Sequence, residues 1–177
     1  VEAVTITQNP LYTISLVSEE TVDLNSDANH IAVSLISNVE DLEVDFGGAE
    51  DWISMTAVSD AFGKKIVEFD VVRSSEFKER TAVVTLGAAA TDDVVTVTVN
   101  QAQRDTAFVV GEQKIVKGLE ALSLDLVIKS NVDVTYSLPT WLSQTVTATT
   151  EKDETGLQSK SITLTADACG GSRSATI

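Results

Sequence analysis

Arg80-Thr81-Ala82-Val83-Val84 returns later in the chain as Arg173-Ser174-Ala175-Thr176-Ile177. In the first occurrence Ala82, Val84 and Leu86 alternate with Thr81, Val83 and Thr85, the two-residue period of a strand with one face in a core and the other in water. The two arginines stand 93 positions apart, and two further pairs keep that spacing: Ser37-Asn38 with Ser130-Asn131, and Val4-Thr5-Ile6-Thr7-Gln8 with Val97-Thr98-Val99-Asn100-Gln101. Recurrence at one fixed period marks a structural unit in tandem. A unit of that length matches a small two-sheet β-sandwich, which takes about 100 residues. The repeat predicts residues 1–8 as the terminal strand of a preceding copy, 9–101 as a complete copy, and 102–177 as a second copy lacking its last strand.

Alternation continues elsewhere. Val95, Val97 and Val99 are separated by Thr96 and Thr98, and Val67, Phe69 and Val71 by Glu68 and Asp70. The pattern predicts strands over 12–17, 21–25, 31–37, 41–46, 53–58, 66–73, 80–86 and 94–101, with negligible helix signal. The second copy keeps the inward set while changing its members: Val33 and Leu35 become Leu126 and Ile128, Phe69 and Val71 become Ile162 and Leu164, and Ala82 and Val84 become Ala175 and Ile177. Hydrophobicity held while identity drifts is what a shared core requires. Gly47-Gly48-Ala49-Glu50-Asp51 and Glu151-Lys152-Asp153-Glu154-Thr155-Gly156 read as the loops that absorb small length differences between copies.

Charge narrows the partners. The chain has 27 acidic and 12 basic residues, a formal net charge of −15. Residues 9–101 hold 17 acids against 5 bases, and 102–177 hold 9 against 7. A field of that sign repels phosphate backbones and anionic lipid surfaces, so neither nucleic acid nor membrane is an expected partner. No run approaches the roughly 18 apolar residues of a membrane helix, and without an initiator Met or a signal-like segment the chain reads as a processed or excised piece. Cys169 is the single cysteine, which excludes an internal disulfide, and its Gly-rich surroundings read as a turn with an inert, partly exposed thiol.

Sites for chemistry are few. Asp41, Glu43 and Asp45 imitate the start of a calcium loop, but Phe46 and Trp52 occupy the places where an EF-hand needs Gly and a bidentate Glu. With Leu42, Val44 and Phe46 alternating inward, that segment reads as a strand with an acidic outer face. Glu40, Glu50 and Asp51 supply carboxylates, yet none reads as buried beside an aromatic that would raise its pKa for glycoside hydrolysis. His30, the single histidine, reads as a solvated residue in the polar turn Asp27-Ala28-Asn29-His30. No catalytic residue, metal site or cofactor is expected.

The order Ser37-Asn38, Trp52-Ile53-Ser54, Arg80-Thr81-Ala82-Val83-Val84 and Thr96-Val97-Thr98-Val99-Asn100-Gln101, repeated as Ser130-Asn131, Trp141-Leu142-Ser143, Ile162-Thr163-Leu164-Thr165 and Arg173-Ser174-Ala175-Thr176-Ile177, resembles the BACON family. These are Bacteroidetes-associated modules often found N-terminal in carbohydrate-handling surface proteins. The resemblance covers nearly the whole chain, and its specificity comes from the order and recurrence of short motifs. It implies tandem immunoglobulin-like antiparallel β-sandwiches in an exported, cell-surface or extracellular protein, with glycan or mucin binding as the family's suggested role. The middle of the first copy is more acidic than the family pattern, and the second copy lacks the closing strand and its Gln.

Sugar rings pack on flat exposed aromatic faces, so the nine aromatics bear most directly on that role. Trp52 and Trp141 take the same place in both copies, each followed by an aliphatic residue and Ser, and read as packing anchors. Arg80 and Arg173 read as framework arginines that pair with an acid or cap loop carbonyls. Phe46, Phe69 and Tyr136 fall on inward positions, and Tyr12, Phe62 and Phe77 are the candidate glycan contacts. The function expected on balance is a non-catalytic spacer or display module whose partners are the neighbouring domains of its own chain, with a carbohydrate-binding module as the alternative. One partner remains: the strand at Arg173 lacks its closing neighbour and residues 1–8 have the sequence of that neighbour, which leaves two readings, a strand-exchanged oligomer or residues 1–8 folded back onto the first copy.

Overall fold

A computed structural model describes residues 11–112, 115 and 117–177. The expected terminal strand at 1–8 lies outside the described residues. Among those described the chain is all-β, and no helix long and apolar enough to cross a membrane is present. Two compact units form. One comprises the residues up to Ser74 together with Glu79–Ala102; the other joins Ser75–Lys78 to Gln103–Ile177.

Among the described residues unit 1 contains eight strands: β1 (Ile14–Leu16), β2 (Thr21–Leu24), β3 (Asn29–Ser37), β4 (Glu43–Asp45), β5 (Ile53–Ala61), β6 (Lys64–Val71), β7 (Arg80–Ala88) and β8 (Thr91–Gln101). One antiparallel sheet has the order β1-β3-β6-β5, and the other has the order β2-β8-β7-β4 with β2 parallel to β8. Each of the eight overlaps a segment predicted by alternation, because a period of two is a local property that survives whatever partner the strand finds. Val33, Leu35, Val67, Phe69 and Val71 from the first sheet meet Ala82, Val84, Leu86, Val97 and Val99 from the second in one buried cluster. That packing makes unit 1 a β-sandwich. Phe46 meets Phe69 edge-on at 6.1 Å between ring centroids, a preferred aromatic geometry.

Unit 2 repeats the first of these sheets. Its strands are β9 (Ala107–Val110), β10 (Leu122–Ser130), β11 (Ser143–Ala148) and β12 (Gln158–Ala166), in the order β9-β10-β12-β11. They correspond in turn to β1, β3, β5 and β6, and β10 has the bounds of β3 shifted by the repeat length. Ile128, Ile162 and Leu164 form its buried centre, with Val109, Leu124, Leu126 and Tyr136 packed against them.

The repeat correspondence fails at one point. It predicts Ala175 and Ile177 facing inward as Ala82 and Val84 do, yet Arg173–Ile177 forms no strand and lies exposed. The reason is pairing. β7 is held along its length by β8, from Arg80↔Gln101 to Ala88↔Thr91, whereas among the described residues no strand pairs with Arg173–Ile177.

Candidate functional site

The recurring residues perform one set of tasks in both copies. Asn38 follows β3, and its amide accepts from the Thr13 N–H at 2.9 Å and donates to the Leu11 carbonyl at 2.8 Å. Asn131 accepts from the Thr106 N–H at 2.8 Å and donates to the Arg104 carbonyl at 2.9 Å. Each Asn thus latches the entry to the first strand of its sheet. The recurrence of Ser-Asn is visible in the sequence, but the latch is not, because the bonded backbone lies more than 20 positions upstream.

Trp52 ends the turn before β5 and Trp141 ends the turn before β11. The Arg80 guanidinium lies over the Trp52 ring at 4.3 Å from its centroid, and that of Arg173 lies over Trp141 at 4.7 Å. Recurrence marks all four residues in the sequence without pairing them, since 28 and 32 positions separate the partners. Both arginines also cap carbonyls: Arg80 Nη2 donates to Val72 O at 2.7 Å, and Arg173 Nη2 to Asp167 O at 2.6 Å. Trp52 is buried and Trp141 is half-buried. Among the described residues unit 2 has only one sheet against which to pack it.

Gln101 closes β8 with its side chain fully buried. Its Oε1 accepts from Arg80 Nε at 2.8 Å, while Nε2 donates to the carbonyls of Asp27 at 2.8 Å and Val72 at 3.2 Å. Beside it an open depression of about 420 Å³ is lined by polar groups including Asp23, Glu79, Thr81 and Asn100, with no aromatic in its wall. Thr81 Oγ1 donates to Asn100 Oδ1 at 2.9 Å and Asn100 Nδ2 to Asp23 Oδ1 at 2.8 Å, a hydrogen-bonded row across three strands.

The three candidate glycan contacts separate. Tyr12 packs against the unit 1 core. Phe77 is half-buried in unit 2, where the Arg104 guanidinium covers its ring at 4.7 Å and its carbonyl accepts from Asn131 Nδ2 at 3.0 Å. The fit there is close: a Cβ added at Gly156 (φ 90°) would stand 2.7 Å from the Phe77 carbonyl oxygen. Phe62 is fully exposed at the tip of the β5–β6 hairpin, with φ 53° and Gly63 beside it at φ 73°. Two successive residues at positive φ make the hairpin turn that normally selects Asn-Gly, so an exposed Phe sits there against its own backbone preference.

The charged candidates are solvated. Glu40, Glu50 and Asp51 are exposed, and so are Glu43 and Asp45 on β4, where the Gly47 N–H donates to Asp45 Oδ1 at 2.8 Å. Among the described residues no group of three His, Cys, Asp or Glu side chains could hold a metal ion. The Cys169 thiol is half-buried and donates to the Gly171 carbonyl. In unit 2 the Asp153 carboxyl is held well below the usual carboxylate range, first by the hydrogen bond from Lys129 Nζ and then by the Thr155 hydroxyl and the backbone N–H of Leu157.

His30 departs from the turn assigned to it: it lies within β3, still exposed, opposite Asp70 of β6. Its Nδ1 is 2.7 Å from Asp70 Oδ1, and Nε2 is 3.8 Å from Glu68 Oε2. The hydrogen bond to Asp70, opposed by desolvation and aided by the charges of Asp70 and Glu68, raises the imidazole pKa above 6.5. A raised folded-state pKa contributes stability that is fully present below the unfolded value and is lost as pH rises through the folded one. An NMR titration of His30 is therefore expected to show a midpoint above 6.5 that moves down in Asp70→Asn; an unmoved midpoint would refute the pairing.

Fold and contacts together define an all-β repeat protein whose recurring Asn, Trp and Arg side chains hold its own framework. No family model matches the chain, and no curated protein matches it. Among solved structures it is similar to a Bacteroides ovatus GH5 xyloglucanase in complex with a XXXG heptasaccharide, at 19% identity and a TM-score of 0.43, over 51% of this chain and 19% of that one. The chain thus spans about a fifth of that protein's length.

Proposed function

We propose that this chain is a non-catalytic, exported β-sandwich module of the BACON type, with immunoglobulin-like repeats in tandem, which acts as a spacer or display unit in a glycan-handling surface protein. One observation carries this reading: the residues that recur between copies are engaged within their own units. Asn38 and Asn131 latch strands, Trp52 and Trp141 lie under Arg80 and Arg173, and neither ring offers that face to a sugar. Tyr12 and Phe77 are likewise packed. Incubation with mucin-type, plant and bacterial polysaccharides is expected to release no reducing sugar. Turnover abolished by an amide replacement at Glu40, Glu50 or Asp51 would overturn the non-catalytic assignment.

The exposure of Phe62 favours a second reading, a carbohydrate-binding module with a single aromatic contact at the β5–β6 tip. Replacing Phe62 by Asn separates the two. Asn suits the turn, and relief of the positive-φ strain is expected to stabilise unit 1 by about 1 kcal/mol. On a glycan array and in affinity gels, parent and variant are expected to behave alike under the spacer reading. Retention of the parent that is lost in Phe62→Asn would establish the binding module instead.

A further inference from the structure

From the edges of the three sheets, we infer that β11 is a self-association edge through which two copies of this chain pair antiparallel and join their unit 2 sheets. A sheet edge offers a row of unpaired N–H and C=O groups to any strand that approaches, and proteins blunt such edges with shortness, charge or bulges. The other edges are blunted. β1 and β4 have three residues each, and β2 and β9 have four. Asp23 stands on β2, and Glu43 and Asp45 on β4. β5 is longer, but a register shift between Met55 and Ala57 breaks it and Asp60 lies near its end.

β11 has none of these devices. Ser143-Gln144-Thr145-Val146-Thr147-Ala148 carries no charge and no Pro, pairs with β12 without a shift from Ser143↔Thr165 to Ala148↔Lys160, and is exposed at every residue.

The occupant that fits is a second copy. In a molecule of net charge −15 two copies repel each other, and an uncharged edge is where approach costs least. The strand is also self-complementary. A two-fold axis through Val146 sets Val146 against its own copy, Thr145 against Thr147, and Gln144 against Ala148. Each pair shares a face: Gln144, Val146 and Ala148 lie on the side of Leu164 and Ile162, while Thr145 and Thr147 lie on the side of Thr163 and Ser161. Val146, 43% exposed in one copy, then meets its twin beside the buried Ile162 of each sheet. The result is one eight-stranded sheet. A contact this small belongs with weak, transient interfaces.

The test is sedimentation of the whole 177-residue chain from about 10 µM to about 1 mM, a span that covers weak association. The parent is expected to shift from monomer to dimer across it. Thr145→Lys with Thr147→Lys places like charges opposite each other on the solvent face, and Thr145→Glu with Thr147→Glu does the same with the other sign. Each double variant is expected to remain monomeric, and an equimolar mixture of the two to recover the dimer. A parent that stays monomeric throughout, a lysine variant that dimerises as the parent does, or a mixture that fails to recover would each overturn the inference.

Discussion

Trp52→Ala is expected to cost unit 1 about 3–5 kcal/mol, the range for truncating a buried Trp. Trp52 is only 7% exposed and belongs to the same cluster as Ile53, Phe69 and Val84, so the substitution opens a cavity in that cluster. It also strips Arg80 of the ring beneath its guanidinium. A change of about 1 kcal/mol moves the midpoint of a domain this size by about 4–8 °C, which puts the expected fall in the unit 1 transition at more than about 12 °C. Trp141→Ala is expected to cost clearly less, because that ring is half-buried and the buried cluster of its unit is smaller. Calorimetry of both variants checks the pair. Equal losses would mean that Trp141 anchors its unit as firmly as Trp52 does.

The second large effect is expected at Gln101. Gln101→Leu keeps the volume but removes the acceptor for Arg80 Nε and the donor to the Asp27 carbonyl. A hydrogen bond contributes about 0.5–1.5 kcal/mol net, and the buried Gln101 amide makes three, so the loss is expected to be about 2–4 kcal/mol. The Val72 carbonyl keeps its bond from Arg80 Nη2, which limits the damage on that side. Gln101→Glu restores an acceptor for Arg80 but sets a carboxylate against the carbonyls of Asp27 and Val72, and is expected to destabilise as well. Chemical denaturation measures both. If Gln101→Leu unfolds at the parent midpoint, the buried amide is not part of what holds β8 to the loop before β3.

Both effects trace to residues that stand out in the sequence by recurrence, and the contrast between what is legible there and what is not follows the range of the forces involved. Alternation of Ala82, Val84 and Leu86 with Thr81 and Thr85 declares a half-buried strand wherever it occurs, because the pleat sends neighbours to opposite faces. That local rule, with the 93-residue period, is enough for the all-β class, for the strands of unit 1 and for the inward sets of β10 and β12. The same rule fails at Arg173–Ile177. The alternation there is intact, but a strand exists only when a neighbour satisfies its N–H and C=O groups.

The aromatics divide in the same way. Nothing local to Tyr12, Phe62 or Phe77 distinguishes them; the first meets the unit 1 core, the third meets Arg104 and the close approach of Gly156, and only Phe62 is left in water. His30 looks like a turn residue because Asp27-Ala28-Asn29 precedes it, yet pairing with β6 draws it into the ladder opposite Asp70. By itself, then, the sequence determined strand character, the inward faces and the repeat correspondence, all of which depend on residues a few positions apart or on a fixed period. Only the tertiary structure decided that Arg80 and Arg173 cover the two tryptophans, that Asn38 and Asn131 latch the first strands, and which of Tyr12, Phe62 and Phe77 faces solvent, because each is a meeting of side chains that only strand order and register bring together.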